Sequence, residues 1–284
     1  MDPLYARYPF FQGAREAVRE AELSPAALVR AGAPAVERGR ERVERALMEA
    51  TVASEEPRRW DDDTEVLSYP IARILVSLID TPAAVEKYAI AEAATARERF
   101  DADFAADDAD TARRARASPE AVLREFDLAD TVRPEREGSP GSGRRRSSRR
   151  GPTHYWVRLG SYLDLADAGW GGRWRLVNRE VAAGEVRVTT DDRSRLLEAA
   201  VERRVAAGLP FEVRGSEGGD AIAEALAPAV ADLRELLNDH DATGRTSVEA
   251  VVPALFPPCM RGLVQRARDG DDLPTTATFP LTSF

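Results

Sequence analysis

At three points this chain sets a hydroxyl residue directly before a proline: Ser24-Pro25, Thr81-Pro82 and Ser118-Pro119. Each pair specifies a helix start. The hydroxyl caps backbone N–H groups that have no partner inside the helix, and proline at the first helical position forfeits no hydrogen bond. Alanine-rich segments follow at residues 26–31, 83–100 and 120–126. Residues 34–53 carry Val36, Val43, Ala46, Leu47 and Ala50 on one face. Residues 66–79 are the most apolar of these segments, with Leu67, Ile71, Ile74, Leu75 and Leu78 as the buried stripe. This spacing predicts a helical bundle with residues 66–79 at its centre.

The pattern stops at residues 133–152. Pro, Gly and Ser, followed by Arg144-Arg145-Arg146 and Arg149-Arg150, offer too little apolar surface to fold, so a disordered linker is expected. Beyond it the period changes. Tyr155, Val157 and Leu159 alternate with Trp156 and Arg158, and strands are expected there, at 174–178 and at 185–189. A helix over 191–207, a short strand at 211–213 and a helix over 221–238 follow. The last carries Ile222, Leu226, Val230, Leu233 and Leu237 as its stripe. The expected fold class is α+β, predominantly α-helical. It divides into a helical region at 1–132, the linker at 133–152, a small α/β part with a returning helix at 153–245, and the start of a C-terminal domain at 246–284.

Composition narrows the setting. No run of about 18 apolar residues is present, so no membrane helix is expected, and the N-terminus lacks the apolar core of a signal peptide. A single cysteine cannot form an internal disulfide, which points to a reducing cytoplasm. Acidic residues outnumber basic ones 49 to 40, for a net charge of −9, and Lys87 is the only lysine. That is the profile of a salt-accumulating, GC-rich organism; a GC-rich mesophile, whose codons also favour arginine over lysine, is the alternative. Net acidity ordinarily argues against nucleic acid as a partner. At about 1 M salt, however, the Debye length is about 3 Å, and long-range repulsion no longer decides the matter.

Few residues suggest chemistry. Asp61-Asp62-Asp63 invites a two-metal reading, since nucleotidyl transfer uses clustered carboxylates. Adjacent residues at a helix start point in different directions, and acidic residues there serve the helix dipole, so capping by Asp63 or Thr64 is the expected role. The arginine run carries no interleaved aromatics to stack bases and reads as solvated linker. His154, flanking a strand, and His240, in an Asn-Asp-His-Asp loop, have no partners at metal-ligand spacing. No phosphate-binding loop, dinucleotide fingerprint or nucleophile elbow occurs. Cys259, in Leu255-Phe256-Pro257-Pro258-Cys259-Met260, is open to three readings: a buried structural thiol, a redox sensor, or one ligand of an iron–sulfur cluster that takes four thiolates.

Four blocks in order, Arg7-Tyr8-Pro9-Phe10, Leu67-Ser68-Tyr69-Pro70-Ile71-Ala72-Arg73, Trp174-Arg175-Leu176-Val177-Asn178-Arg179 leading to Val186-Arg187-Val188, and Leu255–Met260 followed by Leu273-Pro274, are similar to a known family. The chain resembles the large, non-catalytic subunit of archaeal and eukaryotic-type DNA primase, in a haloarchaeal version. The resemblance covers most of the chain outside the linker. It implies a mostly helical body that docks on a small catalytic subunit, in a heterodimer that starts RNA primers on template DNA. It also implies a C-terminal domain holding a 4Fe–4S cluster. Cys259 matches the first of its four ligands, and the other three would lie past Phe284, so a C-terminally truncated chain is expected. Arg261, Thr275 and Thr276 stand at positions that the resemblance places near nucleic acid or nucleotide. Many relatives have histidine and arginine after the Leu-Pro pair. Threonine can hydrogen-bond a phosphate but brings no cation. A free-standing helical scaffold or DNA-bound interaction protein is the alternative, motivated by the arginine-rich stretch and the missing catalytic constellation. A metal-dependent transferase built on Asp61 and Asp63 is the third reading.

Overall fold

The computed structural model describes residues 1–21, 23–56, 59–105, 116–135, 152–216 and 218–244, together with Arg266. Residues 1–240 form one compact unit, and residues 241–284 are assigned to a second. The chain runs α1 (Pro3–Arg7), α2 (Gln12–Glu20), α3 (Pro25–Arg30), α4 (Pro34–Glu49), α5 (Asp62–Ile79), α6 (Pro82–Phe104) and α7 (Pro119–Glu125). Then come β1 (Val132–Pro134), β2 (His154–Arg158), α8 (Leu159–Leu165), three single 3₁₀ turns, β3 (Val181–Ala182), β4 (Glu185–Thr189), α9 (Thr190–Ala206), α10 (Gly219–Ala225) and α11 (Ala227–Gly244). The class is α+β and predominantly helical.

The expected helix starts are present. Ser24, Thr81 and Ser118 each accept a hydrogen bond from the N–H three residues on, at 3.2, 3.3 and 3.1 Å. Helix α5 is buried on nearly all sides by Val66, Leu67, Ile71, Ile74, Leu75, Val76 and Ile79. It packs against α4, α1, α6 and α2, which makes it the centre of the bundle. Gly39 allows a close approach of α4 to α5: a Cβ there would lie 2.8 Å from Ile71 Cγ2 and 3.1 Å from the Ser68 carbonyl oxygen. Helix α4 stops at Glu49, short of the expected Ala53, because Ala50 takes a left-handed conformation at φ 54°.

The sheet is antiparallel throughout, in the order β1-β2-β4-β3. Tyr155 pairs with Val188 and Val157 with Val186, so one face is apolar and buried. Helix α9 packs on α6 and also touches β2 and β4. One hydrophobic core therefore runs from Tyr8 through the bundle and the sheet to Leu237.

Five local expectations are corrected. Trp174–Asn178 is not a strand: Gly172–Trp174 and Leu176–Asn178 are 3₁₀ turns, closed by the Asn178 side-chain amide on the Gly172 carbonyl at 2.8 Å. Residues 211–213 pair with no strand among the described residues; the Phe211 N–H goes to the Ser77 hydroxyl instead. The helix expected over 221–238 is two helices meeting at Leu226, with Pro228 in the first turn of the second, where its missing N–H costs nothing. Helix α11 continues through His240, which is not in a loop. Arg133 and Pro134, placed in the linker by sequence, form edge strand β1 on β2. Residues 136–151, the rest of that expected linker, lie outside the described residues.

Candidate partner interface

Two polar clusters lie where the quoted blocks meet the core. In the first, α4 carries Arg38 and Arg42 one turn apart, both fully buried. Arg42 donates through Nε and Nη2 to Glu92 on α6 at 2.7 and 3.2 Å, and through Nη1 to Ser68 Oγ at 3.0 Å and Glu65 at 3.4 Å. Arg38 donates to Glu65 at 2.8 Å and to the Val52 carbonyl at 2.7 Å. The cluster ties α4, α5 and α6 together. Beside it, Arg99 is lowered to about 10, first by burial and then by the charge of Arg42. Burial, with the nearby Glu92 charge, pushes the Tyr88 phenol up, and among the described residues its hydroxyl has no hydrogen-bond partner.

The Arg-Tyr-Pro-Phe block is anchored in the same manner. Tyr8 is stacked between Phe11 and Phe100, with ring centroids at 5.0 and 4.9 Å. Its hydroxyl donates to Asp103 at 2.7 Å, and the other Asp103 oxygen accepts from Arg7 at 2.7 Å. In the second block, Arg73 donates to the Val205 and Ala207 carbonyls at 2.7 and 3.1 Å and so ties α5 to the end of α9.

The Leu-Val-Asn-Arg block builds the second cluster, on the α/β portion. Trp174 is buried, and its carbonyl accepts from Tyr162 of α8 at 2.8 Å. The Arg179 guanidinium lies 4.8 Å from the Trp174 ring centroid and donates to Tyr162 Oη at 3.1 Å and to Asp192 at 2.7 Å. Asp192 also closes a capping box with Thr189 at the start of α9. Burial alone would raise the Asp192 carboxyl; Arg179 and the Thr189 N–H outweigh it and hold it below the usual carboxylate range. The turn is thus fixed from beneath by an aromatic ring, a cation and a helix cap. It presents Val177, which is 88% exposed. Leu163 on α8 and Val181 on β3 are exposed as well.

The sequence-stated site residues fall elsewhere. Cys259, Arg261, Thr275 and Thr276 lie outside the described residues. Asp61, not Asp63 or Thr64, is the N-cap of α5, accepting from the Thr64 N–H at 2.7 Å; the Thr64 side chain first, and then this N–H, lower its pKa. Asp63 instead pairs with the N-terminal ammonium of Met1 at 2.5 Å. The two carboxylates of the transferase reading therefore have separate structural partners. Among the described residues, no three His, Cys, Asp or Glu side chains come close enough together to hold a metal ion. His154 opens β2 beside Thr153. The buried arginines were not anticipated. Their signal was present in α4, where Arg38 and Arg42 interleave with Ala35, Gly39, Val43 and Ala46 on the apolar face.

Residues 6–217 match the family model described as the eukaryotic and archaeal DNA primase large subunit N-terminal domain. The DNA primase large subunit PriL of Haloarcula marismortui is 40% identical over 285 residues, which span 100% of this chain and 72% of that protein. PriL of Halobacterium salinarum is also 40% identical, over 289 residues, covering 100% of this chain and 73% of that protein. PriL of Methanococcoides burtonii is 32% identical over 288 residues, covering 98% and 70%.

Proposed function

Because the chain belongs to the eukaryotic and archaeal DNA primase large-subunit family, we propose that it is the non-catalytic partner of a small catalytic subunit and supports the start of RNA primers on template DNA. The small subunit would carry out phosphoryl transfer; this chain would anchor and position it. One observation carries the docking part of this reading: Val177 stands almost fully exposed on a turn that Trp174, Arg179, Asp192 and Tyr162 hold rigid. Solvent-exposed apolar groups on a pre-organised element lose little entropy on binding, so they are efficient contacts. Leu163 and Val181 would extend the contact. An apolar interface also suits the molar salt that the −9 charge and near absence of lysine indicate, since salt screens charge pairs and strengthens apolar burial.

The test is co-expression with the small subunit and gel filtration in molar KCl. A stable heterodimer is expected, and Val177→Asp with Leu163→Asp should abolish it while circular dichroism stays unchanged. A full complex in that double variant would remove this face from the reading. Template-dependent ribonucleotide polymerisation by the chain alone would overturn the non-catalytic role.

Cys259 is proposed as one ligand of a 4Fe–4S cluster of the type the resemblance implies. Such a cluster takes about four thiolates, and these 284 residues contain one cysteine. They do not fit the cluster by themselves, so no step of the proposed role passes through it. Iron analysis of the 284-residue chain should find no stoichiometric iron; a full cluster complement would refute the four-thiolate assignment.

A further inference from the structure

The first two sequence blocks, far apart in the chain, share one groove. Pro9 and Phe10 of the first block and Tyr69, Pro70 and Arg73 of the second line a cleft of about 710 Å³. The corner between α1 and α2, the middle of α5 and the loop after α9 enclose it. Its volume lies in the range of about 300–1,000 Å³ found for ligand-binding clefts.

Three properties of the groove define its occupant. The first is apolar: Phe11, Val18, Ile74 and Phe211 lie in the walls, and Phe211 is left 39% exposed. The second is a backbone acceptor. Pro70 stands inside α5 without an N–H, so the carbonyl of Val66, a residue that lines the wall, lacks its helical donor. The third is charge. Four arginines, Arg15, Arg19, Arg73 and Arg204, line the groove against a single carboxylate, Glu16, in a chain with 49 acidic residues. Arg73 and Arg204 are engaged, by the Val205 and Ala207 carbonyls and by Glu125. Arg15 and Arg19 are exposed, and among the described residues their side chains make no hydrogen bond or ion pair. They stand four residues apart on α2, a spacing at which like charges are mildly destabilising to a helix.

We propose that this groove is a docking site for an acidic peptide segment of another protein, one that inserts two or three apolar side chains and sets its carboxylates against Arg15 and Arg19. The site shares no residue with the Val177 face, and the inference does not depend on how the small subunit docks.

The test uses the full chain as bait for a displayed library of random peptides in about 0.1 M KCl, where the Debye length of about 10 Å leaves contacts between exposed charges in force. Enriched peptides should be net acidic with two or three apolar anchors. The charge reversal Arg15→Glu with Arg19→Glu should weaken them at least tenfold, and Phe211→Ala should do the same. These three side chains are exposed, so the thermal midpoint should hold, and a matched Arg40→Glu variant, elsewhere on the surface, should bind normally. The proposal fails if no acidic family is enriched, if the selected peptides are basic, or if neither variant weakens them. Displacement of the selected peptides by a single-stranded oligonucleotide, lost in the Arg15/Arg19 variant, would also overturn it by making the groove a nucleic-acid site.

Discussion

Replacing Arg42 by methionine isolates the energetics of the buried cluster. Methionine keeps most of the volume and removes the charge. Arg42 is fully buried and makes four hydrogen bonds, two of them a fork on Glu92. After its removal Glu65 still holds Arg38, and the Ser68 hydroxyl still donates to the Glu65 carbonyl. The orphan is Glu92, 2% exposed. A buried ion pair broken on one side typically costs about 3–5 kcal/mol, a large share of the roughly 5–15 kcal/mol that holds a domain folded. Removing both charges, with Arg42→Met and Glu92→Leu together, should restore most of that loss, because two apolar groups replace the pair without an uncompensated charge. Urea unfolding followed by circular dichroism measures each variant and yields the coupling between the two sites. The loss should also change little between low salt and about 3 M KCl, since buried pairs are poorly screened. A loss below about 1 kcal/mol for Arg42→Met, or a double variant as unstable as the single one, would refute the claim that Glu92 depends on Arg42.

Three further outcomes are expected. Gly39→Ala gains helix propensity but forces its Cβ to within 2.8 Å of Ile71 Cγ2; the net result should be a loss of about 1–2 kcal/mol in thermal unfolding, and a stabilised variant would contradict the close approach of α4 and α5. Asp192→Asn should cost about 2 kcal/mol at neutral pH through the weakened Arg179 contact. The folded-state pKa of Asp192 is depressed, so its contribution is present above the unfolded value of about 3.9 and is lost as pH falls through the folded value; the gap between wild type and variant should close there, and a gap that widens in acid would be wrong for this sign. Arg179→Lys keeps a charge for Asp192 but cannot stack on Trp174 while reaching Tyr162; affinity for the small subunit should fall severalfold with helix content unchanged, and undiminished affinity would show that the turn is rigid without it.

What sequence alone determined is local. Ser24, Thr81 and Ser118 cap their helices because a hydroxyl and the next proline need nothing beyond the first turn. Tyr155, Val157, Val186 and Val188 declared their buried face because side-chain direction alternates along any strand. The Leu-Val-Asn-Arg block pointed to the right family and the wrong local structure. Its alternation suits a strand, yet Asn178 reaches back to Gly172 and closes turns instead. What only the tertiary structure decided is which charges are buried and what the blocks enclose. Arg38 and Arg42 can lie inside because Glu65 and Glu92 arrive from two other helices, and no window of α4 contains either carboxylate. The two Tyr-Pro blocks meet for the same reason. Helices α1 and α2 pack on α5, and the groove between them belongs to no single stretch of chain. Capping and alternation are satisfied within a few residues, whereas compensation of a buried charge and the walls of a cleft come from groups that only folding brings together.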